Sequence, residues 1–88
     1  MGKHFVYILQ SIGESEQYYV GLCEDVETRL QAHNNGQSPH TSKFKPWRVI
    51  FYCWFDEITK AAAFERYLKS GSGRAFAARH IRPAQETN

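Results

Sequence analysis

The chain reads as an α+β domain, a small three-stranded antiparallel sheet flanked by helices in the order β-β-α-β-α-α. Three observations point there. Two runs rich in β-branched and aromatic residues stand near the start, separated by a short glycine-bearing turn. A third apolar run, residues 47–55, stands alone. The segments between and after these runs carry helix caps and glycine stops. With 88 residues there is one domain and a modest core. Residues 1–82 are expected to form it, with 83–88 as a flexible tail.

Residues 4–10 form the first strand and 18–23 the second, with 11–17 as the turn of a hairpin. Pairing Gln10 with Glu16 or Tyr18 would place Tyr7 and Tyr19 on one face of the sheet. Asp25 is the expected N-cap of a helix over residues 26–35, striped by Val26 and Leu30 and stopped by Gly36. Residues 37–46 read as a polar, basic loop. Residues 47–55 are too continuously apolar for an exposed strand, so the sequence predicts a central strand covered on both faces, with Trp47 and Trp54 in the core. Thr59 is the expected cap of a helix that runs through Ser70 to Gly71 and buries Ala61, Phe64 and Leu68 beside Tyr67. A short last helix starts at Ser72 or Gly73 and ends near Ile81, before Pro83.

A net charge of +2 says little, but its distribution says more. Acids crowd the first third, as Glu14, Glu16, Glu24, Asp25 and Glu27. Between residues 28 and 50 there are Arg29, Lys43, Lys45 and Arg48 and no acid. From residue 60 to 82, Glu65 stands alone among Lys60, Arg66, Lys69, Arg74, Arg79 and Arg82. Such asymmetry suits either a polyanionic partner or a solvated basic face. Cys23 and Cys53 lack the spacing of a disulfide framework and read as free thiols of a cytoplasmic protein. The scattered histidines have no zinc-finger spacing, no apolar run is long enough to cross a membrane, and the start leads straight into a strand rather than a signal peptide. Neither a glycine-rich phosphate loop nor a Ser-His-Asp set is discernible.

Arg29 and His33, four apart, share one helical face beside the Val26/Leu30 stripe. They are either an ordinary helix pair or a phosphate fork with a neighbouring proton carrier. Glu65 is either a surface ion pair with Lys69 or the single carboxylate that can anchor magnesium. Tyr7, Tyr18 and Tyr19 are either sheet-packing aromatics or phenols placed at a water or a phosphate. Gly21 marks a bulge or a close approach of backbone to ligand. Thr41, Ser42, Lys43 and Lys45 suit contacts to a phosphate backbone as well as a solvated loop.

Taken in order, these segments resemble the GIY-YIG nuclease superfamily, in its small standalone bacterial form. Phe5-Val6-Tyr7-Ile8-Leu9 stands for its first motif and Tyr19-Val20-Gly21 for its second. Residues 27–36, with Arg29 and the His33-Asn34 ending, are similar to its arginine helix, and residues 64–69 to its glutamate helix. Four motifs in the right order are far more specific than any one. Phe5 replaces the first glycine, Val20 an isoleucine, and Leu22 the lysine of repair-type members. Some members carry an asparagine near the position of Ala77.

The resemblance implies a divalent-metal-dependent endonuclease acting on DNA, structured or damaged DNA included. Glu65 would hold magnesium or manganese, Tyr7 would deprotonate or orient the attacking water, and Arg29 would neutralise charge on the phosphate. Tyr19 and His33 would position that phosphate or assist proton transfer. Gly21, Thr41, Lys43, Lys45, Arg66 and Lys69 are the expected nucleic-acid contacts. A homodimer is the expected way to cut both strands of a duplex. Two other readings stand beside this one: a nucleic-acid-binding module that does not cut, and an interaction domain with an acidic protein partner.

Overall fold

The computed structural model describes residues 2–83. Residues 84–88, which hold most of the expected tail, lie outside the described residues. Strands β1 (His4–Ser11), β2 (Tyr18–Cys23) and β3 (Trp47–Phe55) form one antiparallel sheet. Helices α1 (Val26–Asn34) and α2 (Pro39–Ser42) separate β2 from β3, and α3 (Ile58–Lys69) and α4 (Gly71–His80) follow. The α+β class and the three-stranded antiparallel sheet are as the sequence predicts.

Strand order is β2-β1-β3, which corrects the expectation for β3. The central strand is β1, buried from Val6 to Ser11, and β3 is an edge. Tyr52 and Trp54 on that edge are about half exposed, so Trp54 is not core, whereas Trp47 is buried. The continuous apolar run has another cause. A register shift between Ile8 and Leu9 inserts Ile50 into β3, and Ile50 and Phe51 then pack in the same core. Alternation is therefore broken without double-sided burial.

Each face of the sheet has its own core. Val6 and Ile8 pack with Ala61, Leu68 and Ala77 under α3 and α4. Tyr7 and Leu9 pack with Cys23 and Trp47, joined by Val26 and Leu30 of α1. Gln10 pairs with Tyr18 and Leu9 with Tyr19, so Tyr7 and Tyr19 do share a face.

Several boundaries move. Asp25 accepts the Thr28 N–H at 3.1 Å and caps α1 as expected. Gly36, at φ 75°, turns the chain out of the helix. The loop 37–46 contains the one-turn helix α2. Helix α3 begins at Ile58 after Glu57, because the chain turns as soon as β3 ends, and Thr59 falls inside its first turn. Gly71 does not close α3 but opens α4; Ser70 ends one helix and caps the next by accepting the Gly73 N–H.

Candidate nuclease active site

Helix α1 buries one side chain fully, and it is the polar His33 rather than an apolar residue. A histidine in that position needs partners on both ring nitrogens. Nε2 lies 3.0 Å from the Tyr7 hydroxyl and Nδ1 lies 2.9 Å from Thr41 Oγ1. Burial, and then the charge of Arg29, lower the His33 pKa from its usual 6.5, so the neutral ring is favoured. Thr41 Oγ1 donates to the Ser38 carbonyl at 3.4 Å, which leaves it an acceptor for Nδ1–H. Nε2 then carries the lone pair, and Tyr7 donates to it.

The supports of this chain come from three elements. Thr41 sits in α2, 2% exposed, and its carbonyl accepts the Trp47 indole N–H at 2.9 Å. Asn34 bonds both the N–H and the carbonyl of Trp47, tying the end of α1 to the start of β3. Gly21 lies opposite Tyr7 in the sheet, and a Cβ there would collide with the Tyr7 ring and hydroxyl. Its role is to admit the phenol.

Around this axis stand three further groups. The Tyr19 ring lies 4.7 Å from that of His33 and 6.2 Å from that of Tyr7. Arg29 is exposed, and its charge acts on both Tyr7 and His33. Glu65 on α3 also acts on Tyr7, so the second helix layer reaches the same site. Burial raises the Tyr7 pKa, with Tyr19, Cys23 and Glu65 adding to it and Arg29 opposing it. A free tyrosinate is therefore disfavoured.

The Glu65 carboxylate is the site's one acidic side chain, 21% exposed, with Oε2 bound to Lys69 Nζ at 3.0 Å. Among the described residues no group of three or more His, Cys, Asp or Glu could hold a metal. A lone, partly exposed carboxylate does not suit zinc. It does suit magnesium or manganese, hard cations that keep waters and accept substrate phosphate oxygens.

A sequence model of the GIY-YIG catalytic domain matches residues 3–77, from the first strand into α4. The chain belongs to the GIY-YIG family. A UPF0213 protein of Staphylococcus saprophyticus is 34% identical over 73 residues, covering 82% of this chain and 87% of the relative. The structure-specific endonuclease subunit SLX1 of Debaryomyces hansenii is 31% identical over 84 residues, spanning 88% of this chain but 23% of that protein. The solution structure of a UPF0213 protein from Bacillus halodurans has the same fold, with a TM-score of 0.53 and 25% identity, over 88% of this chain and 83% of that one.

The GIY-YIG motifs thus converge through the fold. Tyr7, Tyr19 and His33 are in contact, and Arg29 and Glu65 lie within electrostatic reach. Three expected phosphate contacts are placed otherwise. Thr41 is buried behind His33, because α2 folds its hydroxyl inward. Gly21 is buried beneath Tyr7. Lys69 is occupied by Glu65. Lys43, Lys45 and Arg66 are exposed, Lys43 over the Phe44 ring at 5.5 Å, and none bonds to the cluster. Sequence reasoning missed the positioning roles of Thr41 and Asn34. The available signal was polar: His33 and Asn34 close a helix whose apolar stripe is thin.

A hollow of about 640 Å³ lies elsewhere, beside Phe5, Tyr52 and Trp54. Glu24, Asp25 and Glu27 line it and repel a polyanion, so size does not mark the GIY-YIG site.

Proposed function

We propose that this protein is a divalent-metal-dependent endonuclease that hydrolyses phosphodiester bonds in DNA. The observation that carries the reading is the buried chain Tyr7–His33–Thr41, which provides a proton acceptor at the site that Arg29 and Glu65 adjoin.

In this mechanism Arg29 holds the scissile phosphate by charge-assisted hydrogen bonds. The attacking water gives its proton to the Tyr7 oxygen as Tyr7 passes its own proton to His33 Nε2. The raised Tyr7 pKa is no obstacle, because the phenolate never has to stand alone. The imidazolium is held by Thr41 at Nδ1. Tyr19 packs against His33, and its hydroxyl would position the phosphate. Glu65 would hold the cation, which when bound polarises a phosphoryl oxygen and stabilises the leaving oxygen.

The family and the SLX1 relative, named as a structure-specific endonuclease subunit, support DNA and make branched duplexes the first structured substrates to try. One site cuts one strand, so double-strand cleavage calls for a homodimer. The free thiols Cys23 and Cys53 fit a reducing cytoplasm. Among the described residues no helix is long and apolar enough to cross a membrane.

One observation favours a second reading, a binding module that does not cut: Glu65 is ion-paired with Lys69. Nicking of supercoiled plasmid in magnesium or manganese, with Glu65→Ala prepared identically, decides between them. Cleavage by the wild type alone supports the nuclease. Salt-sensitive binding without cleavage by either protein supports the module.

A further inference from the structure

Beside the candidate site runs a second groove, about 230 Å³, along the free edge of β2. Tyr18 and Tyr19 form its sheet wall, and Lys69, Arg74 and Arg82 form the other. Two of these residues connect it to the chemistry: Tyr19 packs against His33, and Lys69 holds Glu65. The cations come from the end of α3, from α4 and from the segment just after α4. No carboxylate pairs with Arg74 or Arg82 among the described residues. The Arg82 guanidinium is instead held over the Tyr18 ring, 4.1 Å from its centroid, a contact that fixes the fork without neutralising it.

We infer that this groove binds the backbone phosphates of the nucleic-acid strand that flank the scissile bond, with Arg74 and Arg82 as the principal contacts. The inference rests on the nuclease reading for its polymer, but on charge and geometry for its place. Three cations gathered at one groove, two of them unpaired, repel one another unless an anion lies between them. Arginine suits a phosphate because its planar fork offers parallel donors. The groove also opens beside Tyr19 and the Lys69 that holds Glu65, where the polymer must continue on one side of the cut. The acidic hollow near Tyr52 repels the same polymer. The groove over β2 and α4 is therefore electrostatically open to the strand where that hollow is not. Arg82 lies beyond the residues matched by the family domain, 3–77, so this contact extends the site past the family's common core.

The test is anisotropy of a labelled single-stranded DNA, with chelator present to prevent cleavage, over a range of salt. Arg74→Gln/Arg82→Gln is compared with wild type. Losing two phosphate contacts lowers the log–log salt slope by about 1.4 and the affinity at 0.1 M salt by about twentyfold. Arg74→Gln alone, at an exposed position with no side-chain bond, keeps the fold and gives about half that slope change, with about a fivefold loss. Unchanged slope and affinity in both variants, with the wild type binding, overturn the groove and leave the nuclease reading standing. No salt-sensitive binding by the wild type overturns both.

Discussion

Val6 and Ile8 point to one face of β1, Tyr7 and Leu9 to the other, and the two faces are built by different rules. Under α3 and α4 the buried cluster is wholly apolar: Val6, Ile8, Ala61, Leu68 and Ala77. Under α1 and α2 the core encloses Tyr7 and borders His33, Thr41 and Ser11, each buried and each hydrogen-bonded. Gln10, at the end of the strand, is the exception on the first face and is bonded to Tyr18 and Arg48. One face supplies burial, which is non-directional and tolerant of detail. The other spends its interior on directional bonds that fix His33 between Tyr7 and Thr41. Along β1, apolar packing and the Tyr7–His33 hydrogen bonds are thus divided between the two faces of the pleat.

That separation breaks first, if it is wrong, at adjacent residues. Tyr7→Phe should keep the fold, since the ring remains, yet reduce plasmid nicking by about 10²–10⁴-fold, the usual worth of a proton-transfer group. Retained nicking by this variant would remove Tyr7 from the mechanism. Ile8→Ala, one residue on, should do the reverse. It should lower the unfolding free energy by about 2–5 kcal/mol in a denaturant titration while cleavage per folded molecule stays near wild type. A cleavage loss as large as that of Tyr7→Phe would show that the faces are coupled.

Smaller effects sharpen the comparison. Thr41→Val preserves shape but strands the His33 Nδ1–H in the interior. Stability should fall by about 1–3 kcal/mol, and the pH dependence of cleavage should shift as the imidazole loses its fixed tautomer. An unchanged pH profile would reduce Thr41 to a packing role. The mildest effect is acid sensitivity. His33 titrates near 6.5 when unfolded and lower when folded. Its contribution to stability is therefore complete above that value and is lost as pH falls through the folded pKa. Thermal unfolding should show the decline on acidification, and His33→Gln should flatten it.

Much of this was legible in the residues. The strands at 4–10 and 18–23, the Asp25 cap and the Gly36 stop rest on interactions within a few positions of chain, and all stand within a residue or so of expectation. The motif residues Tyr7, Tyr19, Arg29, His33 and Glu65 were legible because their types and order are unusual together. Trp54 was misjudged because an aromatic residue on an edge strand looks the same in sequence as one in the centre. Thr41 was misjudged because an inward or outward hydroxyl depends on α2, a single turn that a propensity argument does not resolve.

The sequence by itself determined which polar and charged groups this protein carries and which segments hold them. Periodicity, capping and turn residues act over a few positions, so they survive in a linear reading. Only the tertiary structure decided that β1 is central, that Tyr7 meets His33 across 26 residues, and that Thr41 stands behind the imidazole. Those outcomes come from competition between whole segments for the same sheet edge and the same core. That competition is settled by packing and buried hydrogen bonds between residues far apart in the chain.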